Sequence, residues 1–171
     1  MMARRNVSLL VWSMLMLAMP VAAKAGSWTI EGGPNAPPFR MSFSFGQPTV
    51  TYRFECQANQ MLISETGVTQ LLDVQTGVKI GDEPGATITP GASVMGVYTD
   101  KVNPKLVPAT DVANPSKGWD MSIALPLTDP SVRSMSKAGM VSLMTTGWTG
   151  AVELSSDDRK LIATFLGQCH G

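Results

Sequence analysis

Glycine and proline punctuate this chain too closely for long helices: all 16 glycines and 11 of the 12 prolines fall after residue 25. Glycine supplies turn conformations, and proline sits poorly inside a helix or a central strand, so the spacing favours short strands joined by turns. The apolar residues carry the same message at period two. Arg40 to Phe45 alternates, with Met41, Phe43 and Phe45 on one face, and Thr49 to Cys56 alternates with Val50, Tyr52, Phe54 and Cys56 on one face. Gly46-Gln47-Pro48 between them reads as a tight turn, which predicts an antiparallel hairpin. Further strands are expected at Gln60 to Ser64, Thr69 to Val74, Val94 to Thr99, Asp120 to Leu125, Val141 to Thr146 and Thr149 to Leu154.

The segment before that punctuation has another character. Arg4 and Arg5 precede an almost wholly apolar run, Val7 to Val21, and Ala22-Ala23-Lys24-Ala25 closes it with small residues at the spacing a signal peptidase reads. The run is shorter than the roughly 20 residues a bilayer span needs. Residues 1–25 therefore read as a removable export signal, and residues 26–171 as one β-rich domain with no transmembrane segment after signal removal. The expected location is periplasmic or secreted. Without the leader, 10 basic residues face 13 acidic ones, a net charge of −3. A field that weak does not attract phosphate backbones, so nucleic acid is excluded as a partner, and another envelope protein, a glycan or a small molecule is expected.

Two segments read as helices. Asp129-Pro130 supplies a cap and a first-turn proline for a short helix over Pro130 to Ala138, ended by Gly139. Ser155 with Asp158 three residues on is a capping-box variant, and Asp157 and Asp158 lie at the positive end of the helix dipole. From there Leu161, Ile162, Phe165, Leu166 and Cys169 form one stripe that can cover a sheet face. The fold class that follows is mainly β: an antiparallel sandwich or flattened barrel with one short internal helix and a C-terminal helix.

Two cysteines in an exported chain point to a disulfide, Cys56 to Cys169, because the compartment is oxidising. The rival is a pair of free thiols acting as metal ligands or redox groups, and the close Cys-X-X-Cys spacing of redox pairs is missing. Asp82 to Gly118, with Pro84, Pro90, Pro104, Pro108 and Pro115 and one strand around Val97-Tyr98, reads as a long irregular connection. It is either a binding surface or a plain exposed loop.

Residue types for catalysis are sparse. His170 is the only histidine and sits next to the C-terminus, where a fixed triad geometry is hard to hold. One histidine and two paired cysteines do not make a zinc site. Asp82-Glu83 and Asp157-Asp158 are carboxylate pairs of the kind that can do acid/base work on a glycan, but turn and cap roles account for them. The glycines at Gly77, Gly81 and Gly85 lack the Lys-Ser/Thr ending of a phosphate loop. Trp28, Trp119 and Trp148 offer either an aromatic platform or core filling. No catalytic, metal or cofactor residues are therefore assigned.

An export signal, a strand ending in Phe54-Glu55-Cys56, a β run through Trp119 to Leu127, then Gly139 to Thr146 and a closing Gly150 to Cys169 strand and helix resemble small periplasmic proteins of Gram-negative bacteria. The group is the invasion-associated locus B type with its two-cysteine relatives; the additional cysteines of the invasion proteins are missing here. Tyr52 to Cys56 and Gly96-Val97-Tyr98 are also similar to periplasmic lysozyme inhibitors. The function expected is a non-enzymatic binding or accessory protein of the cell envelope, with an inhibitor of an exogenous enzyme such as lysozyme as the alternative.

Overall fold

The computed structural model describes residues 26–45 and 51–169. The expected leader, the turn at residues 46–48 and His170 lie outside the described residues, as does the side chain of Trp148. Within them the alternating segments form strands β1 (Ser27–Gly33), β2 (Ala36–Ser44), β3 (Thr51–Gln57), β4 (Gln60–Val68) and β5 (Val94–Thr99). The chain continues through β6 (Val107–Pro108), β7 (Thr110–Ala113), β8 (Trp119–Pro126), β9 (Met140–Thr145) and β10 (Trp148–Glu153). They pair, all antiparallel, into a first sheet ordered β1-β2-β3-β4-β8-β7 and a second ordered β10-β9-β5-β6. The two sheets do not close on each other, so of the two expected architectures the sandwich is realised and the barrel is not.

The period-two pattern sets the register. Met41 faces Phe54, Phe54 faces Ile63 and Ile63 faces Ile123, so one row of core side chains crosses four strands. Met95, Val97, Val141 and Leu143 enter the same buried cluster from the second sheet. Each such side chain contributes about 1.5–3 kcal/mol of transfer free energy when fully buried. The hairpin expected around residues 46–48 is present as the β2–β3 pairing, with Phe43 opposite Tyr52.

Thr69 to Val74 is not a strand. The Asp73 carboxylate accepts the amides of Gln75 and Thr76, both at 2.8 Å, and this local turn replaces ladder pairing, leaving only an isolated bridge between Leu72 and Lys79. The segment from Asp82 to Gly118 is not one irregular connection either. It holds β5, β6 and β7; its prolines are compatible with strand because Pro108 ends a two-residue edge strand, where no ladder donor is lost. β1 was also unexpected. Its Gly32-Gly33 ending reads as loop, yet Trp28 packs on Phe43 with ring centroids 5.0 Å apart and fixes the strand on the sheet.

The helix over residues 130–138 is shorter than expected. Asp129 caps α1 (Pro130–Ser134) by accepting the Ser131 amide at 2.9 Å, and the chain then tightens into a 3₁₀ turn at Met135–Lys137. The second helix, α2 (Ser156–Gln168), starts on a complete capping box: Ser155 Oγ accepts the Asp158 amide at 3.2 Å while the Asp158 carboxylate accepts the Ser155 amide at 2.9 Å. Its buried stripe, Ile162 and Phe165, packs mainly on the 3₁₀ turn and against β1 and β2 rather than flat on a sheet face. Phe165 lies 4.8 Å from Phe39 between ring centroids. Cys169, at the end of the helix, forms the disulfide with Cys56, with Cα atoms 5.5 Å apart and a sequence separation of 113. No helix among the described residues is long and apolar enough to cross a membrane.

Candidate functional site

The carboxylate pairs singled out by sequence are engaged in structure. Asp158 completes the cap of α2, and Asp157 pairs with Lys160 at 3.0 Å. Asp82 is buried, with the ammonium groups of Lys79 and Lys117 each 3.9 Å away, while exposed Glu83 pairs with Lys117 at 3.4 Å. Around this pair, Trp119 Nε1 donates to the Gly81 carbonyl at 3.0 Å and the Gly118 amide donates to the Asp82 carbonyl at 2.9 Å. The turn that presents Lys117 is left-handed, with φ of 90° at Lys117 itself and 89° at Gly118. Asp82 and Glu83 thus clamp a loop to the β7–β8 turn. Trp28 and Trp119 are core residues, 8% and 1% exposed, and so form no platform. Among the described residues no group of three or more His, Cys, Asp or Glu is placed to hold a metal ion.

The two outer faces of the sandwich differ in chemistry. Register places Arg40, Ser42, Arg53, Glu55, Ser64, Asp120 and Ser122 on the outside of the first sheet together with Leu62, Ala124 and exposed Val112, and there Arg40 reaches Glu55 at 3.5 Å and Glu31 at 3.9 Å. The outside of the second sheet carries Gly96 and Tyr98 from β5, Met140, Ser142 and Met144 from β9, and Thr149, Ala151 and Glu153 from β10. Tyr98, Ser142, Met140 and Met144 surround a groove of about 290 Å³, walled on one side by Asn103 and Pro104 and opening on the other over Thr149 and Ala151.

That wall is held in place by the chain's own geometry. After β5 a tight turn pairs Thr99 with Val102, and the Asp100 carboxylate accepts the Gly139 amide at 2.8 Å. The Lys101 ammonium, then this amide, hold the Asp100 carboxyl below the usual aspartate range. Residues 104–106 then cross the sheet directly over Gly96. A Cβ there would lie 3.0 Å from the Lys105 carbonyl and 3.1 Å from Pro104 and Leu106, so glycine is what lets the loop lie this close. The segment from Asp82 to Gly118 therefore supplies one side of the groove, and β9 with β10 supplies the rest.

A larger depression, about 350 Å³, lies between α1 and the last turn of α2, lined by Leu127, Val132, Arg133, Ser136 and Leu166. Helix ends and a loop make it, whereas the sheet groove is built on the β5–β9–β10 ladder.

Sequence reasoning missed three features. β9 reads Met-Val-Ser-Leu-Met-Thr, apolar on both faces, and the second apolar face is the signal for the groove. Glu65 continues the core phase of Met61 and Ile63 and is fully buried opposite Tyr52 and Met121. Burial, then the Glu65 charge, push the Tyr52 phenol far above the usual tyrosine range. The third is Asp111, inward-facing on β7, which accepts the hydroxyl of buried Ser93; burial raises its carboxyl above the usual range and the Ser93 bond only partly offsets this.

No family model matches the chain, and comparison with curated proteins and with solved structures finds no match either.

Proposed function

We propose that the chain is an exported, non-enzymatic binding or accessory protein of the bacterial cell envelope, and that its binding face is the outside of the second sheet. The observation that carries this reading is the groove among Tyr98, Pro104, Met140 and Met144, whereas the first sheet's outer face, where Leu62, Ala124 and Val112 stand among polar residues, is crossed by the Arg40–Glu55 ion pair. Unbranched methionines adapt to varied apolar partners, and few polar groups converge here to read sugar hydroxyls, which favours a protein partner over a glycan. The leader-like residues 1–25, the Cys56–Cys169 disulfide and the resemblance to small two-cysteine periplasmic proteins support the export half of the proposal. The engagement of Asp82, Glu83, Asp157 and Asp158 in structure supports the non-enzymatic half.

Expression with the natural leader should release a chain starting at Gly26 on osmotic shock; a retained leader in a cytoplasmic fraction contradicts export. For the face itself, Met144→Glu should strongly reduce the fluorescence of an environment-sensitive apolar dye bound to the mature chain without lowering its melting temperature. Unchanged dye binding in that variant contradicts the assignment of the groove.

A further inference from the structure

The depression of about 350 Å³ between α1 and the last turn of α2 combines two kinds of residue. Leu127, Val132 and Leu166 are its apolar walls: Val132 is buried, and Leu127 and Leu166 pack, partly buried, against the core. Thr128, Arg133 and Ser136 stand around the same space as donors. Ligand pockets of about 300–1,000 Å³ are built in this way, from apolar walls and a few polar groups, and this one lies at the small end.

The fold does not use these donors. Among the described residues no carboxylate pairs with Arg133, and neither its guanidinium nor the hydroxyls of Thr128 and Ser136 make a hydrogen bond. Asp129, one turn before Arg133, is committed to the cap of α1, where its carboxylate accepts the Ser131 amide at 2.9 Å and the Ser131 hydroxyl at 2.6 Å. From Pro130 to Lys137 the chain carries Arg133 and Lys137 and no acid. The local charge beside the apolar walls is therefore positive.

Gly167 adds a second observation. It lies inside α2 and lines the depression, and a Cβ on it would meet nothing within 4 Å. Glycine weakens a helix relative to alanine, and neither a turn nor close packing requires it here. Its missing side chain keeps the wall of the depression open.

We infer that this depression binds an amphiphilic monocarboxylate, its carboxylate on Arg133 and its hydrocarbon chain lying between Leu127, Val132 and Leu166 over Gly167. A guanidinium holds a carboxylate through two parallel N–H bonds, and a neutral ligand gains nothing from it. The carbonyl end of α2 is the negative end of its dipole, which keeps the carboxylate away from Gly167 and turns it toward α1. The site shares no lining residue with the second-sheet groove and does not depend on the reading of that face.

The probes are octanoate and its neutral counterpart 1-octanol, each titrated into residues 26–171 with amide chemical shifts as the readout. Octanoate should shift Thr128, Arg133, Leu166 and Gly167 saturably and bind about tenfold or more tightly than octanol, the effect of one charge-assisted bond. Arg133→Gln, at an exposed position, should abolish that difference. Gly167→Leu puts a side chain into the open space and should exclude octanoate. It should also raise the melting temperature, because leucine is the better helix former, so lost binding there is not lost folding. Met144→Glu should leave octanoate binding unchanged. Equal affinity for the two probes, no saturable shift, or octanoate binding that survives Arg133→Gln or Gly167→Leu overturns the carboxylate site. Octanoate shifts at Tyr98 and Met144 that Met144→Glu removes put the ligand in the sheet groove, which overturns this site and leaves the binding face standing.

Discussion

Replacing both cysteines with alanine tests how the C-terminal helix is held. The Cys56–Cys169 bond closes a loop with a sequence separation of 113, and on the chain-entropy model a closure of that size contributes about 5 kcal/mol at 25 °C. Cys169 is 3% exposed, so truncating it also removes buried apolar surface at the end of the helix. Urea unfolding followed by tryptophan fluorescence reads the loss. With a slope of about 2 kcal/mol per molar for a domain of this size, the midpoint should fall by about 2.5 M. The slope itself should rise, because the unfolded variant is less constrained and exposes more surface. A fall below about 0.5 M would show that packing of Ile162 and Phe165 on the 3₁₀ turn holds the helix and that the loop-closure argument fails.

Three further outcomes follow from local geometry. Ser155→Ala removes one half of the capping box and should cost about 1 kcal/mol by thermal or chemical denaturation, and an unchanged stability would mean the box contributes nothing. The Asp111 carboxyl is raised in the folded state, so its burial costs nothing below the unfolded pKa and is fully felt above the raised value. Asp111→Asn should therefore gain stability relative to the unaltered chain as pH rises from about 3 to 7, and a gap independent of pH contradicts the assignment. Asp100 has the opposite sign: its lowered carboxyl stabilises above the ordinary aspartate range and loses that contribution as pH falls through the depressed value. The deficit of Asp100→Asn should accordingly shrink toward acid pH, and a deficit that stays constant refutes the Lys101 and Gly139 contacts as its source.

Where one side-chain periodicity decides the structure, the sequence is readable. β2, β3, β5 and β8 follow from alternation, the start of α2 from Ser155 and Asp158, and the disulfide from the placing of Cys56 and Cys169 on core-facing positions. Reading fails where tertiary pairing overrides local signals. Val107 to Ala113, with Pro108 inside it, looks like loop, yet it forms two short edge strands, one in each sheet. Thr69 to Val74 looks like a strand, but Asp73 captures two amides and turns the chain. The groove is the least legible part. It depends on Gly96 admitting residues 104–106 onto a sheet whose outer face happens to be apolar, and only the β9–β5 register brings Tyr98 beside Met140 and Met144.

Amide chemical-shift mapping of residues 26–171 titrated with the environment-sensitive apolar dye tests the central claim most directly. The account predicts shifts concentrated at Tyr98, Met140, Met144 and Ala151 around the groove, with the outer face of the first sheet unmoved. Shifts centred instead on Arg133 and Leu166, or on Arg40 and Glu55, would contradict it.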